Sequence, residues 1–351
     1  MALSFTPACL PLPRGGAPQL SPQAARAAAP RPIVALAQRG PRDTALATSA
    51  AGFPGLVIDA AHRRAIVERL VAERAIDRIG LAFLRADRSA GTPPPDHHAA
   101  LADQLRQVEP GRPRAIKVEL LGPISLALRI TDEQERPLAY DPALREAIGQ
   151  FVALRAQWLH DQIAAAGASP LLCLDEPALD ALSSPFCPLD WESGGDLLAR
   201  TLAAMPGSKG LCIAGPPDWP ALLALPVEVV FFDAYEYGAS VVQSAAAVAD
   251  HLGRGGALGW GVVPNDPAAL APERAETLAR RFVSTAEYLA AASGVAMERI
   301  GALALISTSG DLGHLPPEQA GQIAALCREV SAVARVMFKI DGEPRPEKEQ
   351  R

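Results

Sequence analysis

The sequence predicts an α/β fold because short apolar runs alternate with amphipathic helical stretches from residue 116 onwards. The number of runs is the second observation: roughly eight strands are counted when Ser4–Ala8 and Pro32–Ala37 are included. The length is the third, because 351 residues suit an eight-stranded barrel of about 250 residues plus insertions. We therefore predict a (β/α)8 TIM barrel, in which parallel strands close into a cylinder.

The predicted strands are apolar runs that are closed by glycine, proline or an acidic residue. After the first two they are residues 116–121, 170–175, 210–214, 227–232, 256–263 and 302–306. The predicted helices carry apolar residues at helical spacing and are bounded by helix start and stop signals. They are residues 141–166, 192–204, 239–253, 270–293 and 316–336. Strand and helix therefore alternate as a parallel barrel requires.

The chain is predicted to form a single domain over residues 1–340, followed by a charged, disordered tail at 341–351. An insertion near residues 40–110 interrupts the alternation, and apolar residues at helical spacing predict a helix over 59–76 within it. The alternative fold is an open doubly wound sheet, which would be expected to carry a glycine-rich, phosphate-binding turn after its first strand. The sequence has no such turn, so the barrel is preferred.

Composition argues against several classes of partner. The net charge of −6 indicates no basic surface for nucleic acid, and 5% aromatic residues provide few stacking surfaces for bases. No apolar run is long enough to span a membrane, and the N-terminus does not have the pattern of a signal peptide. The five cysteines are scattered without a CxxC pair, which suits a reducing compartment. We therefore expect a cytoplasmic protein whose partner is a small molecule.

Asp175 and Glu176 end the apolar run that begins at Pro170, and Pro177 follows them. Because adjacent residues of a strand point to opposite faces, one carboxylate can face a cleft while the other faces packing or solvent. The catalytic residues of parallel barrels lie where strands become loops. Asp175 is therefore a candidate catalytic acid, with helix capping as its alternative role.

Other polar residues follow the predicted strands, and in a barrel they would gather at one opening, the mouth. The candidate substrate-binding residues are Ser125, Glu176, Tyr235, Trp260, Asn265, Ser307, Ser309 and His314. Asp233 is a second candidate catalytic acid, and Cys212 and Asp311 lie at the ends of two other strands. From Asp175 onwards no Lys or Arg stands at a strand end, so a cationic, zwitterionic or neutral ligand is expected rather than a phosphate.

The candidates also have structural alternatives. The two aspartates can cap helices, and Cys212 can be a small core residue. Tyr235 and Trp260 can pack as aromatic side chains whose polar ends are satisfied. His314 can be an exposed loop residue. The residues alone leave both sets of roles open.

Seven short motifs occur in the order in which one known superfamily carries them. They are Phe53–Asp59, Gly122–Ser125, Leu174–Pro177, Gly215–Trp219, Phe232–Tyr235, Gly259–Pro264 and Ile306–Ser309. On these motifs the chain resembles the uroporphyrinogen decarboxylase and cobalamin-independent methionine synthase superfamily. It is most similar to stand-alone proteins related to the methionine synthase C-terminal barrel. The resemblance implies a TIM barrel and a methyltransferase in which zinc activates a substrate thiol as the thiolate.

The metal motifs depart from the family pattern. Where the family has His-x-Cys, this chain has Cys212-Ile213-Ala214, and where the family has Cys-Gly, it has Gly310-Asp311. The position of the family's acidic ligand matches Asp233. The resemblance therefore leaves Cys212, Asp233 and Asp311 as candidate metal ligands. Catalytic zinc is held by about three protein ligands, so the zinc site is predicted to be degenerate and a zinc cofactor doubtful.

Three functions remain open from the sequence. The chain is either a methionine synthase-like methyltransferase with a rearranged zinc site, or a barrel that binds a small molecule or a partner protein without catalysis. The third function is a metal-free lyase nearer to uroporphyrinogen decarboxylase, with Asp175 or Asp233 as general acid–base. That branch holds substrate carboxylates with arginines, and the acidic mouth predicted here argues against it.

Overall fold

The computed structural model describes residues 33–35, 45–59, 64–95, 101, 105–106, 115–216, 218–313 and 315–338. Its strands, numbered in chain order, are β1 (Ile33–Ala35), β2 (Leu56–Asp59), β3 (Arg64–Val67), β4 (Ala115–Leu121), β5 (Pro170–Glu176), β6 (Ser208–Ile213), β7 (Val229–Phe232), β8 (Ala257–Val263) and β9 (Ala304–Thr308). β2 and β3 form an antiparallel hairpin. The other seven form one parallel sheet whose spatial order follows the chain.

The described helices lie between these strands and after the last of them. They are α1 (Ala45–Ala50), α2 (Arg69–Glu73), α3 (Ile76–Leu84), α4 (Pro123–Arg129), α5 (Pro142–Ala165), α6 (Trp191–Ala204), α7 (Trp219–Leu223), α8 (Ala234–Gln243), α9 (Ala245–Gly253), α10 (Pro267–Leu270), α11 (Ala275–Ser293), α12 (Met297–Ala302) and α13 (Pro317–Met337). Their starts follow the predicted signals: Asp141 accepts hydrogen bonds from the N–H groups of Ala143 and Leu144, with proline at the first position of α5.

The sheet is strongly curled. Lys117 of β4 places its Nζ 3.7 Å from the ring centroid of Phe231 in β7, three strands away. In a flat sheet those two strands would lie about 14 Å apart. The concave side is therefore an inner face, whereas the convex outer face packs on helices, as Trp260 of β8 does on Phe282 of α11. The chain thus forms a curled, parallel half-barrel.

The strand order decides between the two predicted folds. A doubly wound sheet reverses its strand order at a switch point, but each of the seven strands here is added on the same side of the previous one. The predicted α/β, TIM-like architecture is confirmed in that form. The described strands do not close a cylinder, because β1 and β9 are both edges. The strand predicted at Ser4–Ala8 lies outside the described residues, as does the tail at 341–351, and eight-stranded closure stays a prediction.

The insertion differs from the prediction of one helix over 59–76. β2 and β3 pair there, and the chain becomes helical only from Arg69. The reason is a period of two: Ala65 and Val67 are buried, whereas Arg64 is exposed, which is the alternation of a strand. Two other described parts of the insertion are held by Arg155 of α5, whose guanidinium donates to the backbone oxygens of Gly91, Thr48 and Ala51.

Candidate functional site at the strand ends

The strand register places five polar residues on the inner face of β4, β5 and β6. Glu119 pairs with Cys173, and Asp175 pairs with Cys212. Lys117 lies two residues before Glu119 and therefore shares its face, because side chains alternate along a strand. We call these five residues the inner cluster. It lies towards the carboxyl ends of the strands, where parallel barrels place their sites.

Lys117 and Glu119 form a buried ion pair in this cluster. The Nζ of Lys117 lies 2.6 Å from Oε1 of Glu119, and Lys117 is only 3% exposed. Burial would lower the pKa of Lys117, but the negative charge and hydrogen bond of the Glu119 carboxylate raise it well above its usual value. Lys117 in turn lowers the pKa of Glu119, against the effect of burial. The two side chains are therefore both charged, and their charges cancel.

The Cys212 thiol stays protonated. Cys212 Sγ lies 3.6 Å from Oε1 of Glu119, which accepts its hydrogen bond. A hydrogen bond with Cys173 and burial raise the pKa of Cys212 well above its usual value. Because the thiolate is the nucleophilic form of cysteine, Cys212 is a poor nucleophile in this setting.

Asp175 is the titrating group of the inner cluster. Its half-buried carboxylate accepts no hydrogen bond from the described residues. Burial, and then the charges of Glu119, Glu176 and Asp311, raise the pKa of Asp175 to about 7, while Lys117 opposes the shift. A carboxyl group with such a pKa can take up and release a proton near neutral pH, and when charged it can bind a cation.

Three of the predicted mouth residues come together at the ends of β8 and β9. Asn265 donates from Nδ2 to the backbone oxygen of Asp311 at 3.0 Å, and Ser309 donates from Oγ to Asn265 Oδ1 at 3.1 Å. Asp311 lies close enough to contribute to the raised pKa of Asp175. Ser307 pairs with Gly261 and is 5% exposed. These contacts place a further acidic residue near the inner cluster.

Glu176 and Ser125 were predicted to bind substrate, but the structure places them in a buried contact with α4. Oε1 and Oε2 of Glu176 accept the N–H groups of Ile124 and Ser125 at 3.0 and 2.8 Å. Ser125 Oγ accepts the N–H of Ala178 at 3.1 Å. Both residues are 0% exposed. The cause is alternation along β5: Asp175 points inward, so Glu176 points to the helices.

Gly122 lies so close to this contact that a side chain at position 122 would collide with it. A Cβ there would lie 2.2 Å from Oε1 of Glu176. The Gly122–Ser125 and Leu174–Pro177 motifs therefore form one structural unit, which we call the α4 anchor (Gly122, Ile124, Ser125, Glu176). Burial raises the pKa of Glu176 to about 7, although hydrogen bonds from Ser125 and Ile124 oppose the shift.

Asp233, Tyr235 and Trp260 are not part of the inner cluster. Asp233 accepts the N–H groups of Tyr235 and Glu236 and so caps α8, the structural alternative that the sequence left open; its pKa is raised by burial. Trp260 is 1% exposed and packs between Phe232 and Phe282 on the outer face. Side chains alternate between the two faces along β8. Gly259 and Gly261 occupy the inward positions, so Trp260 between them points outward. His314 lies outside the described residues.

A cavity of about 220 Å³ lies on the outer side of β8, between α8 and α11. Tyr235 and Trp260 line it, together with Arg281, which stacks on the Tyr235 ring at 4.3 Å. Arg281 also pairs with Glu273, which accepts the Tyr235 hydroxyl at 2.9 Å. The polar groups at its rim are thus already paired with one another. We place the candidate site at the inner cluster, where a carboxylate without a described hydrogen-bond partner has a pKa near neutral.

The candidate metal ligands do not fit a zinc ion. Asp233 is engaged as a helix cap, and the Cys212 thiol is protonated and bonded to Glu119. Across the described ranges, no three His, Cys, Asp or Glu side chains are grouped so that they could hold a metal ion. Zinc sites require about three protein ligands around one ion. We therefore derive no chemical step through zinc.

Lys117 and Glu119 were missed as site residues by sequence reasoning. They lie inside a strand rather than at its end, and the search for candidates stopped at strand ends. A signal was present: Ile116–Leu121 alternates apolar and charged residues, which is unusual for a strand that is buried on both faces. Charged residues at alternate positions of such a strand indicate that its second face is polar.

Comparisons with known proteins give weak similarities only. No family model and no curated protein matches the chain. A B12-independent methionine synthase from Shewanella sp. W3-18-1, in complex with selenomethionine, aligns with 16% identity and a TM-score of 0.43 over 68% of this chain and 67% of that chain. A methyltransferase from Methanosarcina mazei aligns with 14% identity and a TM-score of 0.43 over 66% of this chain and 62% of that chain. Similarity at this level assigns neither a family nor an activity.

Membrane insertion finds no support in the described helices. None of them combines the length and the apolar character that a bilayer-spanning segment needs.

Proposed function

We propose that the protein is a methionine synthase-like barrel that binds a small ammonium-bearing molecule at the mouth, without the zinc–thiolate chemistry of that family. The observation that carries the proposal is Asp175, a half-buried carboxylate without a hydrogen bond from the described residues, at the carboxyl end of β5. An ammonium group would supply the missing hydrogen bonds and the opposite charge. The ordered sequence motifs support the choice of family.

The charges around Asp175 favour a cation over an anion. Glu119, Glu176 and Asp311 are the acidic residues that act on Asp175, and Lys117 is already neutralised by Glu119. A carboxylate-bearing ligand would therefore meet no free positive charge in the inner cluster. A zwitterion is accommodated if its ammonium group faces Asp175 and its carboxylate faces solvent.

Binding of L-methionine, measured by calorimetry at pH 8, tests the proposal. We expect Asp175→Asn to weaken binding by about 1.5–3 kcal/mol, because a charge-assisted hydrogen bond is lost. Asp233→Asn is the matched control and should leave the affinity unchanged, because Asp233 caps α8 outside the cluster. Equal affinities for the wild type and Asp175→Asn would remove Asp175 from the site.

The choice of charge is tested separately with two analogues of methionine. The decarboxylated amine should bind, whereas the deaminated acid should not, because only the amine keeps the group that pairs with Asp175. The opposite preference would contradict the proposal for the whole site.

A zinc-dependent methyltransferase is distinguished by metal content. Zinc is measured by mass spectrometry on protein that was purified without chelator, in the wild type and in Cys212→Ala. Stoichiometric zinc that is lost in the variant would replace our proposal with the methyltransferase. Sub-stoichiometric zinc that is equal in both proteins agrees with the binding barrel.

A metal-free lyase is the second candidate, and the pKa of Asp175 near 7 is the observation that favours it. Such a group can act as general acid–base at neutral pH. The binding function is preferred because Lys117, the cation of the inner cluster, is already paired with Glu119. Release of carbon dioxide from a porphyrinogen carboxylate, abolished in Asp175→Asn, would establish the lyase.

A further inference from the structure

Glu176 has the features of a group that holds its neighbour in place. It is the last residue of β5, directly after Asp175, and points away from the mouth. Its carboxylate is wholly buried and accepts two hydrogen bonds from N–H groups in the first turn of α4. A buried carboxylate is costly to maintain unless it is hydrogen-bonded, so this position demands an explanation beyond packing.

The α4 anchor joins the two loops that border Asp175. Glu176 binds the β4–α4 junction through the N–H groups of Ile124 and Ser125, and Ser125 returns a contact to Ala178 in the loop after β5. The chain directly after Asp175 is thereby fixed to the end of the neighbouring strand. Apolar residues at this position could fill the space, but they could not accept the N–H groups of the helix.

We propose that Glu176 is the positioning residue of Asp175: by binding the N-terminus of α4 it fixes the end of β5, and with it the carboxylate of Asp175. This inference rests on Asp175 being the ligand-binding group of the proposed function. The charged groups that act on Asp175 are Glu119 and Lys117 from β4, Glu176 from β5 and Asp311 after β9. Burial raises the pKa of Glu176, and the hydrogen bonds from Ser125 and Ile124 of α4 oppose that rise.

The experiment measures the titration of Asp175 itself, so it needs no ligand. Aspartate carboxyl carbons are labelled with ¹³C in the full chain, and the Asp175 signal is assigned by its absence from Asp175→Asn. In Glu176→Gln, which keeps the size of the side chain, we expect the pKa of Asp175 to fall by about half a unit or more, because a neighbouring negative charge is removed. Glu192→Gln is the matched control, since it makes the same change at an exposed position of α6 and Glu192 is not among the charges that act on Asp175.

A second variant separates position from charge. Gly122→Ala leaves all charges in place, but its Cβ would occupy the position of the Glu176 carboxylate. We expect the Asp175 signal to shift and its titration to change in this variant too, because Glu176 must leave α4. It also serves if Glu176→Gln fails to fold.

An unchanged Asp175 titration in folded Glu176→Gln or folded Gly122→Ala would overturn the inference and leave Glu176 a purely structural residue. That result is independent of methionine binding. Binding that is lost in Asp175→Asn but unaffected in both anchor variants would keep the proposed function and reject the positioning role.

Discussion

At the scale of single residues, the inner cluster combines one group that titrates with others that do not. Lys117 and Glu119 cancel each other's charge, and the Cys212 thiol is protonated. Asp175 is left to respond to pH and to ligands. Its neighbour Glu176 is also a carboxylate, but it points outward and accepts hydrogen bonds from the first turn of α4. Position on the strand, rather than residue type, therefore decides which carboxylate is available.

Asp175→Asn should change the pH dependence of stability. The pKa of Asp175 is about 7 in the folded protein, above that of an unfolded aspartate near 4, so its contribution to stability is complete below about pH 4 and is lost as pH rises through 7. Asparagine never acquires the charge. We expect the wild type to lose on the order of 1–3 kcal/mol more than the variant between pH 5 and pH 8. Urea unfolding at both pH values measures the difference, and parallel losses would show that Asp175 titrates normally.

The Lys117–Glu119 pair should show strong coupling in a double-mutant cycle. Glu119→Leu leaves the buried Lys117 charge without its partner and should cost about 3–5 kcal/mol of unfolding free energy. Lys117→Met/Glu119→Leu should recover most of that loss, because no buried charge remains. Denaturant unfolding of the two single variants and the double variant gives the coupling energy. Additive effects would mean that the pair does not exist in solution.

At the scale of elements, α5 connects the insertion to the half-barrel. Arg155 is 1% exposed, and burial lowers its pKa to about 9. Its guanidinium donates to the backbone oxygens of Thr48 in α1, of Ala51 directly after α1 and of Gly91 in the 3-10 turn Arg88–Gly91. The geometry of a planar group with several donors suits arginine and no other residue. One side chain thus holds two separate parts of the insertion against one helix.

Replacement of Arg155 should loosen the insertion before it affects the sheet. Arg155→Met leaves three buried backbone oxygens unpaired, at a cost of roughly 1–3 kcal/mol for each group that water cannot reach. We expect faster amide exchange in α1 and in residues 88–91, with β5–β8 unchanged. Arg155→Lys is the matched control, since it keeps the charge but has no fork of donors. Uniform loss of protection over the whole chain would contradict a local role.

At the scale of the whole molecule, the sequence predicted the alternation of strands and helices well, because each buried parallel strand is an apolar run bounded by turn residues. The β2–β3 hairpin was missed because each of its strands has only four residues. In so short a stretch, the two-residue pattern of a strand cannot be told from the pattern of a helix. Of the predicted site residues, Asp175, Asn265, Ser309 and Asp311 lie near one another, and their role in a site stays a prediction. Trp260 was predicted to lie at the mouth, but it points outward. The inward position next to it is Gly259, where the ring of Phe231 fills the space that a side chain would need.

Closure of the sheet is the remaining property of the whole molecule that can be tested. The N–H of Leu258 in β8 donates to the backbone oxygen of Leu303, just before β9. Because backbone groups alternate in direction along a strand, the amide of Leu305 in β9 also points to β8. The amides of Ala304 and Ile306 point to the opposite side of β9. A closed eight-stranded barrel gives those outward amides acceptors on a further strand. We expect the Ile306 amide to exchange slowly with deuterium in nuclear magnetic resonance measurements. Leu305 is the internal control, because its bond to β8 protects it whether or not the barrel closes. Exchange at Ile306 that is orders of magnitude faster than at Leu305 would show that the half-barrel has an open edge at β9, and that the predicted cylinder does not form.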